Sequence, residues 1–196
     1  MKYLLIIILL LIPIQLQTQS KYEIDCPPDL VFHSMNILTN LVGIREKTNK
    51  NDGYIINQIQ YSCGLKNGDP YCQATQYYTF QKAVELLNMN NLTCYKNPIP
   101  RNGLAQSTFN KARKTGKKTK YFCQIGDLVV WKKGKTAYGH IERIDKLGKN
   151  GWIVTIGGNV SNGNQQGIFR KKRNLALPLN RVLTIKGIVG FKNNPL

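Results

Sequence analysis

Acidic side chains are scarce: ten Asp and Glu stand against 28 Lys and Arg in 196 residues, a formal net charge of +18. An imbalance of that size implies a polyanionic partner. Histidine is scarcer still, with only His33 and His140. Because the cysteines are widely spaced and no second histidine lies near His140, no metal-ligand pattern arises, and neither a metal nor another cofactor is expected. Asn49, Asn51 and Asp52 offer oxygens, but they make no calcium loop and are assigned to helix capping. Internal repeats and long low-complexity runs are lacking, and 42% hydrophobic composition excludes a disordered chain. The basic blocks lack interleaved aromatics and a reading helix, so no specific nucleic-acid site is expected.

A long apolar run is also missing. The run Tyr3 to Ile14 is about twelve residues, short of the roughly 18 that suggest a membrane span. Preceded by Lys2 and followed by a polar exit ending in Thr18 and Ser20, it predicts a secretory signal peptide over residues 1–20, with a single domain over 21–196. The expected location is extracellular or periplasmic, with no membrane span after cleavage and a monomeric protein. In such an oxidising compartment the five cysteines can form at most two disulfides. The pairing among Cys26, Cys63, Cys94 and Cys123 is open, and Cys72 could instead pair with Cys63 or Cys94. An odd cysteine is a candidate reactive thiol.

In chain order, Asp29 is placed to cap a helix through Val31, Met35, Leu38, Leu41 and Val42. His33 lies on it as a helix-face residue. Asn51-Asp52-Gly53 opens a second helix burying Ile55, Ile56 and Ile59 and ending at Gly64. Asp69 and Pro70 lead into a third, with Ala74, Tyr77, Tyr78, Val84 and Leu87 on one face, which fades near Asn88. A fourth covers Leu104 to Lys114. Beyond Ile125 the pattern becomes short β-branched and aromatic runs: Leu128 to Trp131, His140 to Ile144, Trp152 to Ile156, Gly167 to Lys171 and Val182 to Phe191. Asp127 is read as a turn residue. The expected fold is α+β, with N-terminal helices on an antiparallel sheet of about five strands.

Cys72 falls in the first turn of the third helix, where the helix dipole and unpaired N–H groups favour a thiolate. His140 begins the second strand as the candidate base, and Asn159, at the end of the next strand, is the candidate to hold the imidazole tautomer. A helix-borne cysteine, a strand-borne histidine and a polar residue on the following strand is the order of a papain-type site.

At these residues the chain resembles the CHAP family, the cysteine, histidine-dependent amidohydrolases and peptidases, particularly its short secreted bacterial and phage members. The resemblance runs from about Asn51 to Phe191. It rests on Asn51-Asp52-Gly53, Gly64-Leu65, Gly68-Asp69-Pro70-Tyr71-Cys72, Gly126-Asp127-Leu128-Val129-Val130-Trp131 and Gly139-His140-Ile141. It implies a papain-like fold and cleavage of amide bonds in peptidoglycan through an acyl-enzyme on Cys72, with His140 as base and then acid. Two positions depart from the family pattern. Gly157 stands where many relatives carry a glutamate, and Gln73 follows the cysteine where a small residue is expected.

The expected function is therefore a secreted peptidoglycan amidase or endopeptidase. Its basic faces, Lys111 to Lys120 and Arg170 to Arg173, would hold it on an anionic cell-wall polymer, and an immunity or inhibitor protein is a further conceivable partner. Two rivals remain open: a catalytically silent wall-binding or inhibitory module on the same fold, and a cationic protein that binds nucleic acid or anionic lipid through charge alone.

Overall fold

The structure is a computed structural model that describes residues 20–90, 94–119 and 123–192. The expected leader lies, except for Ser20, outside the described residues, as does Lys120. No described helix is long and apolar enough to cross a membrane.

The chain runs β1 (Lys21–Asp25), α1 (Pro28–Asn40), α2 (Tyr54–Ser62), α3 (Cys72–Asn90), α4 (Ala105–Thr115), β2 (Lys117–Thr119), β3 (Leu128–Lys133), β4 (Gly139–Leu147), β5 (Trp152–Asn162), β6 (Gln165–Asn174) and β7 (Leu183–Lys192). The fold is α+β, as expected, but the sheet is larger than the one read from the sequence. It has seven strands in the order β2-β1-β7-β3-β4-β5-β6, and it is mixed because β1 runs parallel to β7. The five expected strands are β3 to β7. β1 and β2 extend the sheet beyond β7 and carry little apolar alternation, the signal from which strands are read.

Strand β5 also runs further than expected. The run from Gly157 to Gly163 is rich in Gly and Asn, residues that favour turns, yet pairing with β6 continues to Asn162 opposite Gln165, closed by a two-residue loop. A register shift between Gly157 and Val160 takes up one extra residue as a bulge.

The helices cover one face of the sheet. Leu30, Phe80, Val84 and Phe109 pack on Leu128, Val130, Ile141 and Val189, while Leu38, Ile56, Ile59 and Ala74 pack on Ile156 and Ile168. The opposite face buries Val129, Trp131, Ile144 and Ile153 under Leu179 of the segment before β7. Helix α3 is central. Beyond its expected apolar face, Gln73, Thr75, Gln76 and Thr79 are fully buried, so its first two turns are enclosed on nearly every side.

Two expected caps act elsewhere. α1 begins at Pro28 with no side-chain cap; Asp29 instead accepts the Leu30 N–H and the Tyr95 hydroxyl, clamping the segment after α3. α2 starts from Gly53 with no side-chain cap, because Asp52 turns back to accept from the Thr48 N–H and hydroxyl at 2.8 and 2.9 Å. Asp127 does close a turn by accepting the Gln124 N–H at 2.7 Å. It is also buried and pairs with Lys21 at 2.9 Å, which ties β1 to the start of β3.

Candidate active site

The loop before α3 is built to deliver its first residue. Asp69 does not cap the helix: its carboxylate accepts the Lys66 N–H at 2.8 Å, and its carbonyl takes the Gln60 amide at 2.7 Å. Tyr71 is fully buried, donates to Glu46 Oε1 at 3.0 Å and accepts the Asn159 N–H. Burial first, and the Glu46 carboxylate second, push its phenol far above its ordinary range. Helix α3 then starts at Cys72, and the Thr75 N–H closes a turn on the Tyr71 carbonyl at 2.8 Å. The N–H groups of Cys72 and Gln73 precede that bond and have no acceptor inside the helix.

Strand β4 brings the imidazole. Alternation sends Ile141 and Arg143 to the helix-covered face, with Arg143 over the Phe80 ring and bonded to Ser34, and places His140 and Glu142 together on the other. His140 is the second residue of its strand. At that end of the sheet it meets the tip of α3, within hydrogen-bonding reach of the Cys72 sulfur. Its Nε2 lies 2.9 Å from Glu142 Oε1, which leaves Nδ1 as the ring nitrogen for the sulfur. The site is sheltered but open: Cys72 is 5% exposed and the His140 side chain 12%.

Glu142 is fully buried and held from three sides. Besides His140, it accepts the Thr155 hydroxyl on Oε2 and a fork from Arg173, with Nε to Oε2 at 3.0 Å and NH2 to Oε1 at 2.5 Å. Burial alone would raise its carboxyl, but the bonds from His140 and Arg173 outweigh burial and hold it down at about 2. For His140, burial disfavours charge, yet the bonds and charges of Cys72 and Glu142 raise it to about 10. The carboxylate behind the ring thus favours the protonated imidazole.

Arg173 belongs to the block Arg170 to Arg173, read from the sequence as a basic face for an anionic wall polymer. Pairing on β6 divides that block: Arg170 pairs with Asp145 at 3.0 Å, Lys172 lies over the Trp152 ring, and Arg173 turns in to Glu142. Arg173 is a positioning residue. Replacing it with Met is expected to lower kcat/KM on the order of tenfold and to move the acid limb of the pH profile toward neutrality, with Arg173→Lys recovering part of both. An unchanged acid limb in Arg173→Met would refute the role.

The structure brings Cys72 and His140 together as expected. The polar residue on the imidazole is Glu142, on the same strand as His140, where the sequence reading had Asn159 one strand on. Asn159 sits in the β5 bulge at φ 57°, with its N–H on Tyr71. Gly157 explains the exchange. It follows Ile156, the β5 partner of Arg143, and a Cβ there would come 2.6 Å from Glu142 Cγ. The missing side chain at 157 is the space the Glu142 carboxylate occupies. A signal for Glu142 was present: in His140-Ile141-Glu142 the two polar residues are two apart on a strand and share a face.

The other candidates fall away from this centre. His33 lies on α1 in an edge contact with Phe32. Gln73 turns inward, donating to the Pro100 carbonyl at 3.2 Å and accepting from Thr108 at 3.0 Å, so it fixes α4 and the 98–102 segment to α3. All five cysteines are free, which corrects the expectation of disulfides. Cys26 and Cys63 belong to different helix-side clusters, and Cys123 packs on the opposite face of the sheet. Burial pushes the Cys26 thiol up to about 12 and Cys63 to about 11, so neither is a ready nucleophile. Asn49 and Asn51 serve as loop ties, to the backbone of Asn164 and Gln166 and to Gly68. Among the described residues, no group of three or more His, Cys, Asp or Glu could hold a metal ion. In comparisons with known proteins, no family model, no curated protein and no solved structure matches this chain.

Proposed function

We propose that this protein is a thiol hydrolase that cleaves amide bonds in bacterial peptidoglycan, on a papain-like arrangement of a helix-borne thiol against a strand-borne imidazole. The observation that carries the reading is the contact of Cys72 with His140 and of His140 with the buried, charged Glu142. Cys72 gives its proton to His140 and attacks the carbonyl carbon. The oxyanion is met by the N–H groups at the start of α3, which have no helical acceptor. His140 returns the proton to the departing amine, leaving a thioester on Cys72. Water, deprotonated by His140, then releases the acid and restores the thiol. The choice of peptidoglycan rests on the CHAP resemblance and on the positive charge of the chain, and export to the wall on the apolar leader. The basic surface of α4 and β2, with Arg113, Lys114, Lys117 and Lys118 exposed, suits an anionic wall polymer.

The test is mass spectrometry of soluble fragments released from several purified peptidoglycans by the reduced protein. Cys72→Ser and His140→Ala are each expected to abolish release, and the fragment masses identify the bond. Folded wild-type protein that binds the walls but releases nothing beyond these controls refutes the hydrolase.

A further inference from the structure

We infer that Lys132, Lys186 and Arg113 form an anion subsite beside Cys72 and His140, and that it receives a carboxylate of the peptide being cut; the peptide's identity is taken from the function proposed above. Helix α4 carries Gln106, Phe109 and Arg113 at steps of three and four, which return to one face. Lys186 of β7 lies across that face. Its ammonium sits 5.8 Å from the centre of the Phe109 ring and donates to Gln106 Oε1 at 2.6 Å. Burial disfavours its charge, and so do Arg113 and Lys132, both close enough to repel it.

The same stripe adjoins the reacting groups. Gln106 Nε2 donates to the carbonyls of Thr136 and Tyr138 at 2.8 and 2.6 Å, which ties α4 to the turn that leads into His140. Lys132 stands opposite Gly139 in the β3–β4 ladder, next to the Trp131–His140 pair, and by alternation its side chain lies on the helix-covered face with Val130, the layer that also holds Cys72. Among the described residues no carboxylate answers these charges. α4, β3 and β7 contain no Asp or Glu, and Asp127, the sole acid between Arg101 and Tyr138, is paired with Lys21. Among the described residues none of the three cations forms an ion pair, whereas Arg170 and Arg173 on β6 both do. A half-buried ammonium flanked by two exposed cations fits one compact anion. A polymer backbone is better served by the outlying exposed row of Lys114, Lys117 and Lys118.

The experiment uses two soluble peptidoglycan stem peptides, one with free carboxylates and one with those carboxylates amidated. Binding of each is titrated calorimetrically against the Cys72→Ser protein, and cleavage of each is timed with the wild type. The free-carboxylate peptide is expected to bind and to be cut better, on the order of tenfold. Lys132→Gln combined with Lys186→Met is expected to bring that ratio toward one. Lys132→Glu, at an exposed position that tolerates change, is expected to invert it. Equal binding of the two peptides, a preference that survives these substitutions, or salt-sensitive capture of polyphosphate without any preference between the peptides overturns the subsite. Preferential binding with no cleavage by the wild type leaves the subsite standing and overturns the hydrolase instead.

Discussion

Glu142→Gln is expected to lower kcat/KM by about 10²- to 10⁴-fold while leaving the fold and the peptide affinity nearly intact. The amide is isosteric and still reaches Thr155 and His140. It cannot stabilise a charged ring as the carboxylate does, and it removes the counter-charge of Arg173, whose fork is bonded to Glu142. The effect has a separate spectroscopic reading. In the wild type His140 is raised from 6.5 to about 10, so its contribution to stability is full below about 6.5 and is lost as pH rises through about 10. Glu142 is depressed from 4.5 to about 2, so its contribution is present above about 4.5 and is lost as pH falls through about 2. Between those limits the pair persists. In Glu142→Gln, burial is opposed by Cys72 alone, and the His140 ring nitrogens, followed by NMR, should titrate well below 10. A His140 titration unmoved by the substitution would show that the carboxylate does not govern the imidazole.

How far the sequence disclosed this centre depends on which physical signal each part carries. The four helices and the strands β3 to β7 were legible from apolar periodicity, because each buries one face against the other layer. β1 and β2 were not. Lys21-Tyr22-Glu23-Ile24-Asp25 places a lysine in the interior, and the ion pair with Asp127 that makes its burial tolerable is invisible in one dimension. The far half of β5 was hidden for a different reason: Gly157, Gly158 and Asn159 are turn residues by local preference, and the ladder with β6 overrides that preference. At the site, Cys72 and His140 were legible from position, one at a helix start and one at a strand start. Glu142 lies within the motif that identifies His140, but a single sequence does not tell an acid two residues along the same strand from a polar residue on the next as the partner of the ring. Arg173 was concealed inside a run of four cations, where only the strand register distinguishes an inward residue from its outward neighbours.

Gly158→Ala is expected to destabilise the protein by about 1–3 kcal/mol and to reduce turnover further than that loss accounts for. A Cβ at 158 would overlap Thr75 Oγ1 and come 3.0 Å from Thr75 Cβ and 3.1 Å from Tyr71 Cδ2. Those atoms do not belong to a mobile surface. Thr75 is buried and its hydroxyl bonds the Tyr71 carbonyl at 2.9 Å, and Tyr71 is enclosed and fixed by Glu46 and the Asn159 N–H. The clash therefore pushes the first turn of α3 away from β5, and Cys72 is the first residue of that turn. Adding Thr75→Ala removes the overlapping oxygen while leaving the 3.0 Å approach, so the double variant should recover much of the stability lost by Gly158→Ala. Thr75→Ala alone should cost about 1 kcal/mol for its hydrogen bond. Chemical denaturation of the four proteins gives the coupling energy, and their cleavage rates show whether the thiol has moved. Strictly additive losses would mean that Gly158 and Thr75 do not share the contact, and that the close seating of α3 on the β5 bulge is not what places the nucleophile.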